Sequence, residues 1–145
     1  MVAEDGMVQE FASADASEFH DSEISSIEIM KLENEMRISF LMPSGIHACL
    51  SIKKIKFARI ADFVMQNVVS EIRISKFENF SEEKLKGLVN WSNSFSEVEI
   101  ELTPDSMKTC LEDIRNGRLQ VLAIEPSRGA EAVIVAERIF VSWCE

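Results

Sequence analysis

Two long apolar runs near the C-terminus set the tightest limit on the fold. Residues 119–124 and 132–143 are nearly continuous stretches of Leu, Val, Ile, Ala and Phe, joined by Pro126-Ser127-Arg128-Gly129. A strand with one wet face would show a polar residue at every second position. Its near absence predicts two strands buried on both faces, either in the middle of a sheet or covered by helices. A chain of 145 residues can supply that cover, because a domain of this size removes roughly 68–70% of its unfolded surface from water.

The residues upstream name the other pieces. Ile27 and Ile29 flank Glu28 in a strand-like run over 24–32, and Glu33-Asn34-Glu35 reads as a tight turn. Met36, Ile38 and Phe40 then alternate with Arg37 and Ser39, and Pro43-Ser44-Gly45 supplies the residues of a second turn. Ile46, Ala48, Leu50 and Ile52 continue the alternation, so the three runs predict a meander. The basic stretch 53–59 reads as the end of the third strand entering a connection that faces the acidic N-terminal region. Val68, Ile72 and Ile74 predict a fourth strand.

Ser81 with Glu82 and Glu83 is a helix start, and Leu85, Leu88 and Val89 mark one face of a helix over 82–92. Val98, Ile100 and Leu102 alternate with Glu97, Glu99 and Glu101, which predicts a strand with one wet face. Thr103-Pro104 opens a second helix, with Met107, Cys110, Leu111 and Ile114 on one stripe and Asn116-Gly117 at its end. The fold class expected is α+β: a predominantly antiparallel sheet of about six or seven strands with two amphipathic helices. Residues 1–18 are read as a flexible acidic segment and 19–145 as one domain.

Charge narrows the functional classes. The formal net charge is −10, which argues against nucleic-acid binding through a broad basic surface. Residues 1–35 carry ten acids against one base, Lys31, a net of −9, while 36–145 are nearly balanced. Such a segment is either a solvated tail or a surface that steers a basic partner. No apolar run reaches the ~18 residues of a membrane helix. No Lys or Arg precedes Lys31, so no secretory signal is read and a cytoplasmic address is expected. Cys49, Cys110 and Cys144 show no paired spacing and are read as reduced thiols.

Chemistry-bearing patterns are sparse. No phosphate loop, nucleophile elbow or metal-ligand spacing occurs, so no cofactor and no metal is expected and the chain is not read as an enzyme. His20 and Asp21 are adjacent, which in a strand would turn them to opposite faces and prevent a catalytic dyad. Asp21 or Ser22 is read as a turn cap and His20 as bonded to backbone. The rival reading gathers His20, Asp21 and Asn67 into a polar pocket of a small-ligand binder or an enzyme. Glu97, Glu99 and Glu101 are a solvated strand face or an extension of an acidic binding surface. Trp91 and Trp143 are core anchors or interface anchors.

Phe19-His20-Asp21-Ser22, the meander after it and Gln66-Asn67-Val68-Val69-Ser70-Glu71-Ile72 resemble a loosely defined group of small bacterial α+β proteins, some of them similar to immunity proteins of polymorphic toxin systems. The resemblance spans residues 19–77. It implies a cytoplasmic protein that binds another protein without catalysis, and an acidic surface suits a basic partner. A homodimer through a sheet edge or Trp143 is the remaining expectation.

Overall fold

The computed structural model describes residues 8–95 and 97–144. Seven strands form one antiparallel sheet: β1 (Gln9–Glu10), β2 (Glu23–Met30), β3 (Glu35–Leu41), β4 (His47–Ala61), β5 (Val68–Ile74), β6 (Gln120–Arg128) and β7 (Glu131–Cys144). The helices are α1 (Ser13–Ala16), α2 (Glu82–Asn93) and α3 (Pro104–Arg115). This is the expected α+β class with one short helix added.

The sheet closes on itself. Its order is β1-β7-β4-β3-β2-β5-β6, and β6 also pairs with β7, so six strands complete a ring. The long β7 makes closure possible. One edge runs beside the whole of β4, from Cys144 opposite His47 to Glu131 opposite Ala61. Its other edge takes β6 at 132–136 and β1 at 140–141. The weak point is between β2 and β5, where the ladder holds only Glu23 opposite Val68. Backbone bonds from Ile24 N to the Asn67 carbonyl (2.9 Å) and from Val69 N to the Ser22 carbonyl (2.8 Å) extend it slightly.

Two cores follow from closure. Inside the ring, Ile38, Phe40, Leu50, Ile52, Leu122 and Ile134 are among the fully buried side chains. Outside it, Leu85 and Val89 of α2 and Met107, Cys110, Leu111 and Ile114 of α3 pack on Val121, Ala123, Val133 and Val135. Along β6 and β7 successive residues therefore serve opposite cores, which is why these strands are apolar on both faces. Each large aliphatic side chain so buried contributes about 1.5–3 kcal/mol.

Both long helices start where their sequence signals lie. Ser81 Oγ accepts from Lys84 N (3.1 Å) and Thr103 Oγ1 from Ser106 N (3.2 Å), satisfying amides that a helix start leaves free. Burial pushes the thiols of Cys49 and Cys110 above their ordinary value. The folded state then holds protons that unfolded thiols release above about pH 8.5. Stability is expected to fall as pH rises above about 8.5, and Cys110→Ala to remove part of that slope in urea titrations; an unchanged slope would contradict the assignment.

Three sequence expectations are corrected. The stretch 53–59 is no connection: β4 runs on to Ala61. A bulge opposes Ile55 to Ala136 and then Phe57 to Val135, and Lys54 has φ +55°. The extra residue breaks the period of two and lets Ile55 face the inner core while Phe57 faces the helices. Within this stretch Lys53 pairs with Glu35 (3.8 Å), and Arg59 lies over the Trp91 ring at 4.3 Å.

Glu97, Glu99 and Glu101 do not lie on a strand. Residues 99–103 belong to no strand or helix, and Val98 makes a single bridge with Phe95. Ile100 N donates to Ser94 Oγ (2.7 Å) and Leu102 N to Asn90 Oδ1 (3.0 Å). Ile100 and Leu102 are half-buried while the three glutamates are exposed. One-sided burial holds at Ile100 and Leu102, with the end of α2 as partner in place of a strand, but not at Val98, which is 59% exposed.

The acidic N-terminal segment is a docked part of the barrel from Val8 onward, and residues 1–7 lie outside those described. Phe11 N donates to the Ile139 carbonyl (3.0 Å), and Phe11 and Phe19 are buried. Phe19, 0% exposed, sits against Phe40 (4.8 Å between centroids), Trp143 (5.5 Å) and Phe11 (5.9 Å). It fills the interior beside the thin β2–β5 seam. Two aromatic anchors outweigh the polar residues between them, of which Ser13, Ser17 and Glu18 are exposed and Asp15 is half-buried.

Candidate functional site

The polar residues singled out in the sequence separate into different roles. His20 and Asp21 are exposed, 68% and 64% by side chain, and His20 Nε2 lies 3.5 Å from Asp21 Oδ2. They meet because Asp21 has φ +65° in a turn, so strand geometry does not part them. His20 Nδ1 donates to the Ser70 carbonyl (2.7 Å), and Ser22 Oγ to the Phe19 carbonyl (2.6 Å). The backbone-bonding reading of His20 and the capping reading of Ser22 both hold.

Asn67 faces away from that pair's chemistry. It is 2% exposed. Its Oδ1 accepts from Val64 N (2.9 Å) and Ala130 N (3.0 Å), and its Nδ2 donates to the Val64 carbonyl (2.6 Å). The side chain ties the β4–β5 loop to the β6–β7 turn with three of the four hydrogen bonds an amide can make. His20 and Asp21 at the surface and Asn67 in the interior do not share a polar pocket. Among the described residues no group of three or more His, Cys, Asp or Glu could hold a metal.

Docking of the N-terminal segment disposes of its negative charge unevenly. Glu35 pairs with Arg37 (3.5 Å) and Lys53, and Glu10 pairs with Lys76 (3.6 Å). Asp15 caps α1 by accepting from Ala12 N (2.7 Å). Asp15 and Glu18 line a notch of about 440 Å³ together with Met42, Pro43, Ser44, Ile46 and Trp143. The wall of this notch is apolar and aromatic, and its charged groups are both acids. Trp143 is half-buried, so it serves the inner core through Phe19 and the notch at once.

Other surfaces are less one-sided. A groove of about 590 Å³ between α2 and α3 includes Glu101, but Glu82, Lys86, Lys108, Glu112 and Arg115 line it with both signs of charge. Glu82 is bonded by Arg115 and also paired with Lys86 (3.4 Å), and these partners hold its carboxyl below the usual range. Glu97 and Glu99 project from the α2–α3 loop. Replacing Glu97, Glu99 and Glu101 together by Gln is expected to change stability by less than about 0.5 kcal/mol. A larger loss in chemical denaturation would mean the loop depends on them.

Two features of the surface carry little signal in the sequence. Asp15 and Glu18 belonged to a segment read as a tail, although Phe11 and Phe19 on either side were the signal that it could dock. Phe63, Val64 and Met65 form an exposed apolar loop, with Met65 100% exposed. No signal in single-sequence periodicity distinguishes that loop from a strand end.

Comparison with protein-family models, with curated proteins and with solved structures returns no match for this chain. Among the described residues no helix is long and apolar enough to cross a membrane.

Proposed function

We propose that this chain is a non-catalytic protein-binding domain for a basic partner, of the immunity or accessory kind that the resemblance of residues 19–77 implies. The observation that carries the reading is the notch beside Trp143. Its carboxylates, Asp15 and Glu18, are held on the barrel by a segment whose Phe11 and Phe19 are buried. A preorganised acidic rim spares a partner the cost of ordering it and raises the encounter rate with a basic surface. The rival reading, a small-ligand pocket at His20, Asp21 and Asn67, has no converging geometry to support it.

Steering of this kind is strongest at low ionic strength, because the Debye length shrinks from about 30 Å at 0.01 M to about 3 Å at 1 M. Immobilised chain in a native lysate at low salt is expected to retain a stoichiometric basic protein that elutes as salt rises. Retention of no stoichiometric protein would overturn the reading.

A further inference from the structure

Resting on that reading, we propose that the notch beside Trp143 receives an arginine side chain of the partner, its guanidinium lying against the indole and bonded by Asp15 and Glu18. The notch is about 440 Å³ and is walled by Met42, Pro43, Ile46 and Trp143. Apolar walls accept the methylene stem of a long side chain while its charged head stays near polar atoms. Asp15 and Glu18 are the charged residues of the lining and both are negative, so a cation is the complementary head group.

Arginine fits better than lysine on two counts. A planar guanidinium stacks on an indole and is more weakly hydrated than an ammonium, so it leaves water at lower cost. Its fork of donors can also serve carboxylates on two sides, which a point charge does less well. The chain uses the same pairing within itself: Arg59 lies 4.3 Å from the Trp91 centroid, and Arg73 lies 4.9 Å over Phe80 while bonding Glu78 (3.0 Å) and Glu125 (3.3 Å). Arg73 with its aromatic and its carboxylates is an internal version of the proposed complex.

The test titrates the full chain with acetyl-Leu-Arg-Leu-amide and follows the two indole N–H resonances by NMR. The Trp143 resonance is expected to shift saturably in the millimolar range, with Trp91 unmoved. The citrulline peptide, of the same shape without the charge, is expected to bind at least about tenfold more weakly, and the lysine peptide to fall between. Glu18→Gln combined with Asp15→Asn is expected to weaken the arginine peptide about tenfold. Asparagine keeps an oxygen for Ala12 N, so α1 retains its cap. An unmoved Trp143 resonance, equal binding of the citrulline peptide, or an indifferent double variant would each overturn the proposal. Retention of a stoichiometric basic protein at low salt that the double variant does not weaken would overturn this notch while leaving protein binding standing.

Discussion

Phe19→Ala is expected to lower the free energy of unfolding by about 3–5 kcal/mol, the usual cost of emptying a buried aromatic site. The ring is 0% exposed and packs against Phe11, Phe40 and Trp143. Its neighbours belong to three different parts of the barrel, β3, β7 and the N-terminal segment, so no single shift can close the cavity. Phe19→Leu keeps most of the volume and should cost less than about 1.5 kcal/mol. The contrast between the two variants separates loss of packing from loss of an aromatic ring. If Phe19→Ala unfolded at the same denaturant concentration as the parent, the segment would not be part of the barrel. The same variant should weaken partner binding by more than its stability loss implies, because Asp15 and Glu18 lose their anchor.

Asn67→Ala should cost about 2–3 kcal/mol, since it strands the buried amide of Ala130 and frees both polar groups of Val64. A companion substitution reaches the same joint from the other side. Gly129 has φ +82°, and a Cβ there would meet Asn67 Oδ1 and lie 2.9 Å from the Gln66 carbonyl oxygen. Gly129→Ala therefore combines left-handed strain with a backbone clash and should cost more than about 2 kcal/mol. Because both act on one contact, the double variant should lose less than the two losses added together. Full additivity in urea titrations would show that Asn67 and Gly129 do not meet. The exposed Phe63-Val64-Met65 loop depends on this joint, and its backbone amides should exchange faster in either variant.

Much of this architecture was legible from local pattern. The caps at Ser81 and Thr103, the turn at Pro43-Ser44-Gly45 and the apolar strands β6 and β7 are all determined by residues within a few positions of one another. Closure of the ring was not legible, because it requires β7 to pair with β4 and β6 at once, a matter of register between distant residues. The bulge in β4 hid half a strand by breaking its alternation in a run of lysines. Glu97, Glu99 and Glu101 show the opposite case: alternation was present, but side chains of Asn90 and Ser94 satisfied the amides that a neighbouring strand would have bonded. Period-two burial and ladder pairing are separate facts, and only the first is written in the local sequence.

The candidate site was less legible than the fold for a related reason. The acids of residues 1–35 can be counted in the sequence, but which of them find a basic partner depends on the fold. Glu35 is answered by Arg37 on its own strand and by Lys53 on β4, whereas Asp15 and Glu18 line a notch with Trp143, from β7. His20, Asp21 and Asn67 drew notice as polar residues in an apolar setting. Asn67 proves to be polar because the chain needs a rigid tie between two loops, and His20 because the Ser70 carbonyl on β5 accepts its N–H.

The acidic N-terminal segment from Val8 onward is a fixed part of the barrel and holds Asp15 and Glu18 beside Trp143. Amide hydrogen exchange tests it most directly. Phe11 N is bonded to the Ile139 carbonyl (3.0 Å), Asp21 N to the Val69 carbonyl (2.9 Å) and Ser22 N to the Phe19 carbonyl (3.0 Å). These amides should be protected to an extent approaching that of the β4–β7 ladder, since releasing them requires Phe19 to leave the core. Exchange of all three at the rates of an unstructured peptide, with the ladder still protected, would show that the segment is not fixed to the barrel.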